Sequence, residues 1–314
     1  MRLLAKVASS MVLVACWAQV LCAQSLAPRA YVITPVGSNA VNLTWNFYTG
    51  AILFDNTVPI TGASGTINLF NPTYYHGFSF FGRSANVLGG LPYAVGNFKG
   101  TVVNHQEQLY RSGLSDGFIR MSVNLKGGPA MKTPQFRKWK QKTLLGVSLL
   151  VETPTGQYDP TKLINIGANR WAFKPEFGYS ERWGKWVLDG YGAVWFFTPN
   201  SDFFSRNKYY PGTNEQSQEP IGAFEGHLSY DFKARLWASL DGNFWFGGKT
   251  SVNGLQNPNT LQRNSRIGAT VSVPISKHQS LKCSYANGAY IRFGGDYQAL
   301  SFSWQYSWIG THLR

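Results

Sequence analysis

Twelve ionisable side chains stand in stretches where every second residue is polar: Arg120, Glu152, Lys174, Glu176, Asp189, Glu225, His227, Arg235, Asp241, Arg266, Lys282 and Arg292. A period of two puts such residues on one face of extended strands. Charges of both signs on one enclosed face have two uses. They line a path for solutes, or they pair into a network that fills the interior. His227 and Ser229 share the polar face two residues apart, a spacing that predicts an interior hydrogen bond more readily than a nucleophile with its base. The five histidines are scattered and show no metal-ligand spacing. Gly89-Gly90 and Gly247-Gly248 read as turns or bulges, not phosphate loops. No catalytic set, metal or cofactor is expected.

The elements that carry these side chains are long. In residues 169–180, Trp171, Phe173, Pro175, Phe177 and Tyr179 alternate with Ala172, Lys174, Glu176, Gly178 and Ser180. A tight turn, Glu181 to Lys185, leads into a second run, Trp186 to Phe197. If Asp189 faces inward, so do Tyr191, Trp195 and Phe197, which gives the interior an aromatic flank. Such runs exceed the usual strand of about 5–6 residues and suffice to cross a bilayer at a tilt. Similar runs recur at Ala40–Phe54, Thr73–Phe81, Ala85–Val95, Asp116–Leu125, Thr143–Thr153, Glu219–Tyr230, Ala234–Phe246, Leu261–Val273, Ser280–Phe293 and Asp296–Trp308. Connections alternate between long and short. Asp55–Pro72, Gly96–Gly113, Pro154–Gly167, Asn200–Gln218 and Gly247–Thr260 read as long loops. The pattern predicts an all-β fold: a closed antiparallel transmembrane β-barrel of about twelve strands, with short periplasmic turns and longer extracellular loops.

The N-terminus supports export. Arg2 and Lys6 precede an apolar run, Val7 to Leu21, and small residues follow, so residues 1–23 read as a signal peptide cleaved after Ala23. A membrane anchor and a lipobox at Leu13-Val14-Ala15-Cys16 are the alternatives. Residues 24–39 form a periplasmic leader without alternation, 40–308 the barrel, and 309–314 a tail. Cleavage removes Cys16 and Cys22 and leaves Cys283 alone, so no intramolecular disulfide forms. The chain is basic, with 29 Lys and Arg against 15 Asp and Glu. An exported chain without a basic helix is not expected to bind nucleic acid. After the signal no apolar run is long enough for a helical span.

One short connection departs from the rest. Lys126 to Lys142 holds Lys126, Lys132, Arg137, Lys138, Lys140 and Lys142 and no acid. Thr133 is placed to cap a helical turn with Pro134 at its first position. Three readings stand: a solvated basic turn, an interfacial anchor through Phe136 and Trp139 with lysines on lipid phosphates, or a mouth that attracts anionic solutes.

Gly146-Val147-Ser148-Leu149-Leu150-Val151-Glu152-Thr153-Pro154-Thr155-Gly156-Gln157-Tyr158 and Asn169-Arg170-Trp171-Ala172-Phe173-Lys174-Pro175-Glu176 resemble the outer-membrane transporter family associated with phenol meta-cleavage pathways. So do Phe81-Gly82-Arg83-Ser84-Ala85-Asn86, Leu91-Pro92-Tyr93, the leader from Ala27 to Val32, and Trp304-Gln305-Tyr306. The resemblance implies a barrel in the bacterial outer membrane, among its lipids and lipopolysaccharide, that passes small, aromatic or hydrophobic solutes. Such barrels usually end on an aromatic residue, whereas here Trp308 is followed by six more residues, Ile309 to Arg314. The rival functions are a closed structural or adhesion barrel and a lipid-active enzyme. The enzyme needs a serine–histidine pair on the lipid face, and His227 and Ser229 lie on the other.

Overall fold

In the computed structural model, residues 27–53, 60–102, 105–207 and 210–310 are described. The expected signal peptide and the last four residues lie outside them. Among the described residues, seventeen strands follow in chain order. They are β1 Ser38–Leu53, β2 Ile60–Phe80, β3 Arg83–Gly90, β4 Tyr93–Val102, β5 His105–Leu114, β6 Phe118–Lys126, β7 Leu144–Glu152, β8 Ala172–Trp183 and β9 Trp186–Phe197. Next come β10 Gln216–Gln218, β11 Ile221–Lys233, β12 Leu236–Gly247, β13 Thr250–Val252, β14 Leu255–Asn257, β15 Gln262–Pro274, β16 Gln279–Ile291 and β17 Gly294–Ile309. Two helical turns interrupt them among the described residues, α1 Thr133–Phe136 and a 3-10 turn, Pro258–Thr260. Among the described residues no helix is long and apolar enough to cross a membrane.

Antiparallel ladders run from strand to strand and return to their start. β1 pairs with β2 on one side and with β17 on the other, with Ser38 opposite Ile309 and Leu53 opposite Gly294. Two pairs of strands act as halves of longer ones. β3 and β4 both pair with β2 and are separated by Leu91-Pro92, where proline breaks the ladder. β6 and β5 in turn pair with β3 and β4. Counted this way, the described residues form a closed barrel of twelve wall strands. Closure satisfies backbone donors and acceptors within the wall, as a bilayer-spanning sheet requires.

The sequence expectation of a loop over Asp55–Pro72 is corrected here, because β2 begins at Ile60. The expected loop Gly96–Gly113 is likewise the hairpin of β4 and β5. In β2 the Gly, Thr and Asn content hides an inward alternation of Ala63, Ile67 and Leu69, of which Ile67 and Leu69 are paired on both flanks by β1 and β4. The small strands β10, β13 and β14 form a separate sheet within the loops. On the outer face, Leu43, Phe70, Phe177, Leu240 and Phe302 are exposed. A surface this apolar marks a membrane or partner-facing wall. Four short connections and the longer 127–143 gather at one end of the barrel, the turn end, and the long loops 153–171, 198–220 and 248–261 at the other, the loop end.

Candidate functional site

The ladders decide which side chains enter the lumen. Residues directly opposite share a face, and Ser148 lies opposite Glu176, Glu225 opposite Asn243, and His227 opposite both Asp189 and Asp241. A belt of polar contacts crosses the interior, carried by six strands, β6, β7, β8, β11, β12 and β15. Arg120 on β6 bonds Glu176 on β8 at 3.0 Å and Ser148 on β7 at 3.1 Å. Lys174 lies 2.8 Å from Glu176 and 3.3 Å from Glu225 on β11. His227 stands between Glu225 and Asp241 of β12, at 3.6 and 2.9 Å. Asp241 also accepts from Ser239 at 2.8 Å and from Thr270 of β15 at 2.7 Å. Each acid in this belt meets at least one partner, the condition for holding charge in a narrow interior.

Ten of the twelve residues read from the sequence share the inward register. Glu152 and Arg266 are buried on β7 and β15, and Asp189 on β9 accepts the backbone N–H of Arg29. Lys282 shares the inward register of Ser272 and Ser303 and stays exposed there. Two placements are corrected. Arg235 lies in the turn before β12 in a left-handed conformation, φ 65°, and its guanidinium donates to the carbonyls of Ser276, Lys277 and Gln279. Arg292 is exposed in the bend before β17. Alternation fails at both positions because the chain has already left the ladder. The His227–Ser229 hydrogen bond is absent: the Ser229 hydroxyl has no partner, and His227 is taken by its two acids. Among the described residues no cluster of His, Cys, Asp and Glu is arranged to hold a metal ion.

The leader supplies what the sequence reading missed. Residues 27–37 do not hang below the barrel; they cross its interior near the turn end. Arg29 meets Asp231 at 2.7 Å, and the Ala30 N–H donates to the Tyr191 hydroxyl at 3.0 Å. Tyr31 is 1% exposed. Its hydroxyl donates to Ser148 at 3.1 Å or to Glu176 at 3.0 Å, and the Arg120 guanidinium lies over its ring. The ring fits against Gly146 and Gly178, which face one another across β7 and β8; a Cβ at either would meet it at 2.4 or 2.1 Å. Paired inward glycines signal close approach of another group, and that signal was present in the sequence.

The connection 127–143 closes this end. Phe136 and Trp139 stack at 6.0 Å and pack with Ile33, Met131 and Leu144. The interfacial-anchor reading of these two rings is therefore corrected: they cover the leader. The helix cap is also one residue earlier than expected, at Lys132. All five bases of the connection, and Lys126 just before it, are exposed.

Toward the loop end the lumen changes character. On one wall Trp195, Trp245, Ile221, Ala223, Ala193 and Ala172 form an apolar cluster. On another, Tyr48, Ile52, Ile67, Leu69, Phe98 and Tyr297 form a second, joined by Ile166 from the loop 153–171. That loop is pinned outside the strands. Asp116 accepts the N–H groups of Gly156 and Ala168 at 2.8 and 2.7 Å. Asp159 is held down to about 2, first by the Thr161 hydroxyl and then by Lys162.

The family described as "Putative MetA-pathway of phenol degradation" matches residues 50–302. The chain belongs to that family. No curated protein matches the sequence. Among solved structures, the COG4313 outer membrane channel from Pseudomonas putida F1 aligns at TM-score 0.72 and 15% identity, covering 90% of this chain and 100% of that one. The transport unit of the autotransporter AIDA-I from Escherichia coli aligns at 0.52 and 11% identity, covering 97% of each. At these identities the likeness shows the fold, an outer-membrane type of barrel.

Proposed function

We propose that this chain is an outer-membrane channel for small apolar, chiefly aromatic, solutes. The observation that carries the reading is the division of the lumen along its axis. Two apolar and aromatic clusters lie toward the loop end, with buried Glu152, Arg170 and Arg266 beside them, and the paired charges of the belt with a Tyr31 stopper occupy the middle and the turn end. An apolar solute gains by leaving water for the first region, and a free ion finds the second already neutralised. In this reading the turn end faces the periplasm. Arg120, Lys174 and Glu176 line the path beside Tyr31, and the leader shifts to admit a solute. The family's association with phenol degradation favours the same solute class, and the likeness to the Pseudomonas putida outer membrane channel favours a channel. The chain is proposed to sit among outer-membrane lipids and lipopolysaccharide after signal cleavage.

A second reading, a closed structural or adhesion barrel, is favoured by the leader's fill of the lumen. Proteoliposomes separate the two. The channel reading expects labelled phenol or toluene to enter faster with protein than without, and a chain lacking residues 27–36 to conduct ions more freely. A barrel that admits neither, with or without its leader, is the closed one.

A further inference from the structure

We infer that the turn end is a docking surface for anionic phospholipid headgroups, built as a ring of paired apolar and basic side chains. Five connections join strands at this end, and each carries at least one exposed base; the ones that stand beside the outer wall are Arg83, Lys126, Lys185, Lys233 and Lys277. Beside each base, within two residues, stands an exposed large apolar side chain. These are Phe81, 91% exposed, then Leu125, Trp183, Phe232 and Ile275. The lipid-facing wall therefore runs into the basic rim without a break. Aromatic rings favour the headgroup depth of a bilayer, and a lysine or arginine at that depth meets phosphate.

The charge is specific to this end. The acids near the rim are Glu181 and Asp231, and Asp231 is engaged by Arg29 and Arg182. At the loop end exposed Glu107, Glu215, Glu219 and Asp296 offset the bases. A merely soluble rim needs no apolar partner at each base, whereas a headgroup site needs both. An acidic protein would fit the bases, but five exposed apolar residues on the outer wall point to the bilayer. Each base near an anionic surface adds to the attraction, so several acting together select lipid by charge.

The test uses the full mature chain in bilayers of phosphatidylcholine, with trace spin-labelled phosphatidylglycerol or phosphatidylcholine. A symmetric bilayer makes the result independent of the orientation proposed above and of any solute transport. The expected result is a several-fold preference for phosphatidylglycerol in the motionally restricted shell, which falls toward one at high salt. It also falls in R83Q/K126Q/K185Q/K233Q/K277Q, checked for folding by heat-modifiable gel mobility. If that variant fails to fold, K185Q/K233Q alone is expected to lower the preference partway. The control K132Q/R137Q/K138Q/K140Q alters the lumen mouth and is expected to keep it. Equal association of the two lipids overturns the inference. So does loss of preference in the mouth variant alone, which moves the site to the pore entrance, or competition by inorganic phosphate at constant ionic strength, which makes it a site for free anions.

Discussion

Gly178 has no room for a methyl group, because the Tyr31 ring occupies the space a Cβ would fill. Gly178→Ala is expected to push Tyr31 from its slot and raise single-channel conductance in planar bilayers; an unchanged conductance would mean the ring does not stop the pore. Glu176 is the second informative residue, since it answers Arg120, Lys174 and Tyr31 together. Breaking a buried pair from one side costs about 3–5 kcal/mol. Glu176→Gln leaves two cations under-compensated, so the reversal potential in a salt gradient is expected to move toward anion preference. No movement would argue that the belt only fills space. Most of the belt was legible in the sequence, because alternation within a ladder fixes the face. Arg235 and Arg292 were misread since neither sits in a ladder, and a turn conformation is not written in polar spacing.

The leader and the connection 127–143 act as one element, joined through Ile33 and the Phe136–Trp139 stack. Trp139→Ala is expected to loosen the leader without releasing the barrel from lipid. Limited proteolysis should then cut within residues 27–37 sooner, while heat-modifiable mobility stays. Loss of membrane assembly in this variant would instead restore the interfacial-anchor reading. The loop 153–171 responds to acid in a predictable way. Asp159 is held below its ordinary value of about 3.9, so its contribution is present above that pH and is lost as pH falls through about 2. Exchange of the Thr161 amide, which donates to this carboxylate at 3.0 Å, should accelerate between those values relative to Asp159→Asn. At this scale the sequence served unevenly. Strands with one apolar and one polar face were plain, but β2, β4 and β5 were hidden by glycine and threonine. The leader has no period at all, so its place rested on the complementarity of Tyr31 to two glycines a ladder brings together.

At the scale of the molecule, the closed ladder predicts a folded band that migrates faster than the boiled chain, and an integral protein in membrane fractions; a soluble periplasmic product would contradict the fold's placement. Closure and strand number were legible because long strands and unequal connections both repeat down the chain. The axial division of the lumen was only half legible, since it depends on which inward residues share a level, and levels follow from register. The leader has one more consequence, which concerns time. It is tied to β1, and β1 meets β17 at the seam that closes the cylinder. Before that seam forms, the interior is an open trough, and residues 27–37 have only to lie down in it. Afterwards they would have to thread a mouth already covered by residues 127–143. Order of assembly thus becomes part of the structure: a bulky folded tag fused ahead of Ala27 would hold the segment outside while the wall closes, and yield intact barrels that leak.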